Sequence, residues 1–341
     1  MLSEDQVAIQ ETVRALLVNE LPLERVRAGF EERGRLEMGG IWRRAGDLGF
    51  FGLGVDEKYG GSGFSLAEEM VLFNELGRSL APGPWLGSVL AVHVLPDGLL
   101  RTAVLRGEVP CALALGADGS EISISGGRVS GTLSSVANAA FAGALLLDCG
   151  AAWYYVPRAG VRWGVEPRRS LDPTRPLYSV SLSEIECIKV ATGADAARLR
   201  RAATVLACAE AVGGVERTVE MSVQYCKVRT QFDRPIGSFQ AVKHRCADMA
   251  VRAEVARSAA IYATICARDD TDDADHHVSV AKWLCAEAYL QNAADNIQNH
   301  GGMGFTWECD AHLYLKRAHG FDSSFGSRSA HLDRLVAELR A

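Results

Sequence analysis

Between Phe239 and Arg268 the chain sets a small or apolar residue at alternating steps of four and three: Val242, Cys246, Met249, Ala253, Ala256, Ala260, Ala263 and Ala267. That period puts all eight on one face of a long α-helix and on no face of a strand. Alanine dominates the seam, so the helices packed against it must come close, and the pattern calls for a bundle. An acidic connection, Asp269 to Asp275, leads to a second helix expected from about His277 to Asn299. Residues 191–341 therefore read as a C-terminal domain of the four-helix-bundle type.

The other two regions differ in period. Residues 1–108 are helical in pattern: Ser3 caps a first helix with Gln6 three residues on, and Ser65 caps another running to about Leu80, stopped by Pro82-Gly83-Pro84. Residues 109–190 switch to period two in Glu121–Ser125 and Ser179–Ser183, with buried strands expected at Ala144–Leu147 and Tyr154–Val156. Gly126-Gly127, Gly150, Pro157 and Gly160 supply the turns. The expected fold is α+β: an N-terminal helical domain, a small middle β domain and a C-terminal helix bundle.

Composition excludes several functions. With 36 Lys and Arg against 42 Asp and Glu, the net charge of -6 gives no general attraction to nucleic acid or to an anionic membrane surface. The longest apolar stretches, Leu86–Leu95 and Ala139–Leu147, fall far below the roughly 18 residues of a membrane span. The opening residues read as a helix start rather than a signal peptide. Nine scattered cysteines without a C-x-x-C suit the reducing cytoplasm. The run DDTDDADHH (269–277) lacks the glycine and terminal Glu of a calcium loop, and Cys309, His312 and His319 lack a complete zinc set, so no metal is expected. No G-x-S-x-G elbow is present, and no strand is expected before Gly301-Gly302-Met303-Gly304, which taken alone is a helix cap and turn.

The segment most informative about chemistry is Tyr225–Met249, YCKVRTQFDRPIGSFQAVKHRCADM. An interhelical loop carrying Arg229 and Gln231 can hold a diphosphate, because guanidinium presents a fork of donors with a permanent charge. The ordinary alternative is a surface Arg paired with a carboxylate. The segment resembles the acyl-CoA dehydrogenase signature R-x-Q-F-G-x-P-I-x-x-F-Q followed by A-D-M, matched at Arg229, Gln231, Phe232, Pro235, Ile236, Phe239, Gln240, Ala247, Asp248 and Met249, with Asp233 where Gly is usual. Gln298-Asn299-His300-Gly301-Gly302-Met303-Gly304-Phe305 resembles the family's Q-x-x-G-G-x-G-Y. Tyr59-Gly60-Gly61-Ser62-Gly63 and Glu75-Leu76-Gly77-Arg78 resemble its amino-terminal Y-G-G-x-G and E-L-G-R. The blocks stand in the family's order and span most of the chain.

The resemblance implies FAD held between subunits of a tetramer, with Arg229, Gln231, Phe232, Ile236, Phe239, Gln298, Asn299, Gly301 and Gly302 as its contacts from this chain. It also implies loss of an acyl-CoA α-proton to a carboxylate and hydride transfer from the β-carbon to flavin, with an electron-transfer flavoprotein as acceptor. The family's base positions, however, are filled by Phe325 and Ala203, and no acid lies within three residues of Ala203. The usual flavin-contacting loop and strand of the β domain are represented only by residues 115–120 and by Leu133-Ser134-Ser135. These departures make the chain similar to the short, non-catalytic subunit of α2β2 acyl-CoA dehydrogenases of actinobacterial steroid side-chain degradation, whose homologous catalytic partner carries the base. Two alternatives stand beside this: a self-sufficient homotetramer using another carboxylate such as Glu210 or Glu220, and a flavin-free scaffold or CoA-binding subunit.

Overall fold

The computed structural model describes residues 2–31, 38–116, 121–158 and 163–340. The order of elements is helices, strands, helices. The N-terminal helices are α1 (Glu4–Glu20), α2 (Leu23–Glu31), α3 (Gly39–Asp47), α4 (Leu66–Arg78), α5 (Trp85–Val94) and α6 (Leu99–Leu105). Strands β1 (Cys111–Leu115), β2 (Glu121–Ser125), β3 (Arg128–Ala137), β4 (Ala144–Asp148), β5 (Ala152–Pro157), β6 (Gly164–Arg168), β7 (Leu177–Glu186) and β8 (Ile188–Thr192) follow. Next come α7 (Gly193–Val228), the two-residue strands β9 (Thr230–Gln231) and β10 (Arg234–Pro235), then α8 (Gln240–Asp269), α9 (Ala274–His300), α10 (Ala311–Ser323) and α11 (Arg328–Glu338). This is the expected helix, sheet, bundle architecture. Among the described residues no helix is long and apolar enough to cross a membrane.

The local start signals operate as the sequence predicts. Ser3 and Gln6 exchange bonds at 3.1 Å each, and Glu68 accepts from the Ser65 N–H at 2.9 Å while Ser65 Oγ accepts from Ala67 N–H. Two boundaries differ. Helix α4 stops at Arg78 rather than near Leu80, because Leu80 takes a left-handed φ of 49° and folds the chain back. Helix α9 begins at Ala274 rather than His277, because the acidic connection contributes its last residues to the helix.

The chain forms two compact units. One comprises Val18–Glu69 and Pro82–Ala203. Its strands make two four-stranded sheets, ordered β1-β4-β5-β8 and β2-β3-β7-β6. The pair β1–β4 is parallel, with Cys111 opposite Ala144, and the other pairings are antiparallel. Ala112, Leu145, Leu147, Val129, Leu133 and Val180 from the two sheets share one core, which explains why β4 is buried along its whole length. Leu133-Ser134-Ser135 falls where β3 changes register against β7, a bulge between Leu133 and Val136. Residues 117–120 and Gly160 lie outside the described residues. In the same unit the fully buried Glu69 carboxylate accepts from Gly54 N–H at 3.2 Å and lies 2.7 Å from His93 Nε2.

The other unit comprises Met1–Leu17, Met70–Ala81 and Thr204–Ala341. The alanine stripe of α8 packs on α9, with Met249, Ala253, Ala256, Ala260 and Ala263 buried as their spacing requires. Helices α10 and α11 also lie on α9. The tightest approach is between α4 and α7. A Cβ on Gly77 would sit 1.8 Å from the Glu210 carbonyl oxygen, and one on Gly213 would sit 1.9 Å from that of Asn74. Charges surround the crossing: Arg78 grips Glu220 with bonds of 2.6 and 2.7 Å, and Arg317 donates to Glu210 at 2.5 Å. Arg14 and Gln10 both donate to the buried Glu75, Arg14 with two bonds of 2.7 and 3.0 Å.

Gly213→Ala is therefore expected to cost about 1–3 kcal/mol or more, since α4 and α7 must separate to admit the methyl group. Gly320→Ala is the control: it meets nothing within 4 Å, and in mid-helix the exchange gains about 0.5–1 kcal/mol. Urea denaturation of both variants measures the difference, and equal midpoints would show that the crossing tolerates a side chain.

Candidate functional site

Residues 229–239 join α7 to α8 through a hairpin. In its two strands Gln231 pairs with Arg234 and Thr230 with Pro235, which leaves Phe232-Asp233 as the loop. Both loop residues have positive φ, 52° and 61°, the signature of the tight hairpin turn that right-handed strand twist favours. This accounts for the departure at position 233. The backbone there is left-handed, which suits Gly best and Asp better than most residues. Phe232 has no such excuse: a bulky residue held at positive φ is strained, and the residue is 86% exposed.

The hairpin is fastened at its base. Arg229 N–H donates to the Tyr225 carbonyl at 2.9 Å, and Ile236 N–H donates to the Arg229 carbonyl at 2.8 Å. The Arg234 guanidinium lies 4.1 Å from the centre of the half-buried Phe239 ring, and Phe232 meets that ring edge-on at 6.1 Å. The backbone of Arg229 is thus fixed while its side chain faces solvent. Among the described residues no carboxylate pairs with the Arg229 guanidinium, so the ordinary surface ion pair does not form. Gln231 is exposed too, its amide donating, among the described residues, to the carbonyl of Thr230.

The second block begins at the end of α9. Tyr225, one turn before Arg229, stacks on His300 with ring centres 4.3 Å apart, which brings the two blocks together. Sequence reading missed this contact because neither aromatic stands at a diagnostic spacing. Gly301 closes α9 with φ 61° and ψ -141°, a conformation essentially closed to other residues, and a short 3-10 turn continues to Phe305. A Cβ on Gly301 or Gly302 would meet nothing within 4 Å, so bare backbone borders open space there. Gln298 is exposed beside them. Asn299 is not: it accepts from Arg245 at 3.1 Å and turns its amide toward the sulfurs of Cys246 and Met249. These contacts tie α9 to α8, and the Asn299 side chain faces inward.

The two positions at which the resemblance leads one to expect the base carry no acid. Ala203 is buried on α7, and half-buried Phe325 sits in the α10–α11 connection at φ 58°, its carbonyl accepting from His331 at 2.8 Å. The nearby acids of α7 are committed elsewhere. Glu210 is held by Arg317. Burial pushes the Glu220 carboxyl up, but hydrogen bonds and charge from Arg78 and Arg217 outweigh it and hold the group below the ordinary glutamate value. Burial raises Glu216 above that value despite its Asn74 and Arg78 partners, and its location is the α4–α7 crossing.

Comparison with known proteins follows the same outline. Residues 3–97 match the family model "Acyl-CoA dehydrogenase, N-terminal domain", and residues 194–339 match "Acyl-CoA dehydrogenase, C-terminal domain". The chain is 34% identical to acyl-CoA dehydrogenase IpdE2 of Mycobacterium tuberculosis over 343 residues, covering 98% of each protein. It belongs to the acyl-CoA dehydrogenase family. FadE34, another M. tuberculosis acyl-CoA dehydrogenase, is 38% identical over 314 residues, 92% of this chain but only 44% of FadE34. Among solved structures, the ChsE4–ChsE5 complex of M. tuberculosis superposes with a TM-score of 0.88 at 26% identity, covering all of this chain and 98% of the matched one. A variant of the Tcur3481–Tcur3483 steroid ACAD gives 0.87 at 25%, covering 99% and 98%. The helical, β and helical domains described above are those of the acyl-CoA dehydrogenase fold.

The strain at Phe232 is testable. Phe232→Asn places a residue that tolerates left-handed backbone in the hairpin loop and removes only an exposed ring, so it is expected to keep or raise thermal stability, by up to about 1 kcal/mol. A loss larger than about 1 kcal/mol would show that the ring supports this chain's own fold.

Proposed function

We propose that this chain is one subunit of an α2β2, FAD-dependent acyl-CoA dehydrogenase, completing the flavin site of a homologous catalytic subunit without supplying the base. The observation that carries the reading is an asymmetry. An outward-facing set of donors and bare backbone, Arg229, Gln231, Gln298, Gly301 and Gly302, stands in a chain whose base positions hold Phe325 and Ala203. A scaffold would have no use for the first, and a self-sufficient enzyme could not do without the acid. Glu210 and Glu220, the two α7 carboxylates offered above as alternative bases, are bound to arginines.

The residues fit the cofactor. The unpaired Arg229 offers a fixed charge for a diphosphate, and bare backbone at Gly301 and Gly302 lets a polar ligand approach the chain closely. Phe232 and Phe239, the latter held by Arg234, with Ile236 beside them, give the apolar wall. The chemistry supplied by bound FAD is acceptance of hydride from the acyl β-carbon; an electron-transfer flavoprotein would collect the electrons. The catalytic Glu on the partner would remove the α-proton.

A partner also accounts for the apolar surface. Val251, Val255, Ile261, Tyr262 and Ile265 of α8 are all exposed, as are Phe232, Phe305 and Trp307 around the site. Exposed apolar area on this scale marks an interaction surface. The ChsE4–ChsE5 complex pairs two different chains, and more than half of FadE34 lies outside the matched region, which leaves room for a second subunit-sized part. The name of the Tcur3481–Tcur3483 steroid ACAD supports a steroid side-chain CoA thioester as substrate, and nine free cysteines support a cytoplasmic setting.

Co-expression with its partner is expected to yield a yellow complex with one FAD per heterodimer, two per tetramer. Four flavins per tetramer, or a yellow and active chain on its own, would overturn the reading. In the complex, Arg229→Ala is expected to weaken FAD retention at least about tenfold, about 1.4 kcal/mol, with helical content unchanged by circular dichroism. Unchanged affinity would place Arg229 outside the site.

The missing base gives a separate test. General-base catalysis is worth about 10²–10⁴-fold, but it is useless without a flavin held against the substrate. Phe325→Glu is therefore expected to give no dehydrogenation by the chain alone. It is a cleaner substitution than Ala203→Glu, which would bury a charge at a position only 1% exposed. Turnover by the isolated Phe325→Glu chain would show a complete flavin site within one subunit.

A further inference from the structure

The turn between α8 and α9 gathers three side chains that neither the fold nor the dehydrogenase reading requires. Cys266 on the last turns of α8, Asp273 just before α9 and His277 on its first turn bring one ligand atom each to within 4.8 Å of one another. His277 Nε2 and Asp273 Oδ2 are 3.1 Å apart. In a tetrahedral zinc site with bonds of about 2.0–2.3 Å, ligand atoms stand roughly 3.3–3.8 Å apart. The nitrogen–oxygen edge is already close to that, and the sulfur edges, no longer than 4.8 Å, need at most about an ångström of side-chain movement.

The surroundings hold the three groups in place. Thr271 Oγ1 donates to Asp273 Oδ1 at 2.7 Å, orienting the carboxylate so that its other oxygen faces His277. The Tyr262 ring meets the His277 imidazole edge-on, with centres 4.6 Å apart. The neighbouring His276 is drawn away to Glu338 of α11 by a 2.6 Å bond, which leaves His277 as the imidazole of the cluster. Thr271 N–H donates to the Cys266 carbonyl at 3.1 Å, so the backbone of the connection folds back onto the residue that supplies the sulfur. One thiol, one imidazole and one carboxylate form a mixed set suited to a borderline-soft divalent ion and poorly suited to calcium or magnesium.

We propose that Cys266, Asp273 and His277 form a zinc-class metal site that clamps α8 to α9, with water in the fourth position. On binding, the Cys266 thiol forms a bond to the metal through sulfur and releases its proton to solvent; no electrons are transferred. The site is independent of the flavin proposal. Sequence reading passed over it because Cys266 lies outside the acidic run and reaches Asp273 and His277 only when the helices fold back.

The test uses the reduced, chelator-treated full chain and Co(II) alone as probe. Co(II) is expected to produce a thiolate-to-metal charge-transfer band with the strong visible absorption of tetrahedral cobalt, saturating at one ion per chain and displaced by Zn(II). Cys266→Ser should abolish the charge-transfer band. His277→Ala and Asp273→Ala, at positions less buried than Cys266, should each weaken binding at least about tenfold. They keep the test decisive if Cys266→Ser fails to fold. Absence of a saturable band would overturn the proposal, and so would a band unchanged in the His277 and Asp273 variants, which would assign the binding to another thiol such as the exposed Cys149.

Discussion

Two helices in van der Waals contact through bare backbone set the geometry of the bundle unit. At the α4–α7 crossing, Gly77 and Gly213 let each helix lie against carbonyl oxygens of the other. No side chain fits there, so the spacing is set by main-chain atoms, which cannot change rotamer. The approach also brings polar groups together out of water, and their charges must be answered. Arg78 serves Glu216 and Glu220 from one side, while Arg317 joins Glu210 to the Leu80 carbonyl from the other. Tyr314 adds a bond from its hydroxyl to the Arg78 carbonyl at 2.6 Å. Glycine contact and arginine network are two halves of one arrangement: the first permits the closeness, and the second offsets the desolvation it causes.

That arrangement has a functional consequence. The α7 carboxylates nearest the crossing are spent on holding it, and an acid bound by an arginine is a poor proton acceptor for a substrate. Farther along the same helix the chain turns outward. Tyr225 and His300 stack to hold the end of α7 against the end of α9. From that platform Arg229 and the Gly301-Gly302 backbone face away from the core. The unit is tightly packed at the crossing and presents donors to solvent at the far end of α7, an arrangement the proposed trans role would use.

The strained hairpin loop fits the same logic. Left-handed backbone at a bulky residue costs stability and is retained where the surrounding structure over-determines it, most often at functional positions. Among the aromatic rings of the described residues, Phe232 meets Phe239, edge-on. The exposed apolar row of α8 is a second feature that self-contained folding does not explain, since burial of the alanine seam already satisfies that helix.

Much of this was legible in the residues alone. Period 3.6 in α8 and period two in β2 and β7 follow from where side chains point along helix and strand, so the order of helical, β and helical regions can be read locally. Capping at Ser3 and Ser65 is likewise a matter of neighbours in sequence. The motif residues Arg229, Gln231 and Gln298 could be named from their blocks, and the absence of an acid at positions 203 and 325 could be read directly. What required the fold was every relation between residues far apart in the chain. The parallel pairing of β1 with β4, the glycine crossing of α4 with α7, and the stacking of Tyr225 on His300 have no local signature. The same holds for the inward turn of Asn299, which stands in a motif yet packs against Met249, and for the meeting of Cys266 with His277 across a helical connection. Local sequence determines which way a side chain leaves its own helix or strand; what it then meets depends on which distant backbone comes within a few ångströms, and only tertiary packing decides that.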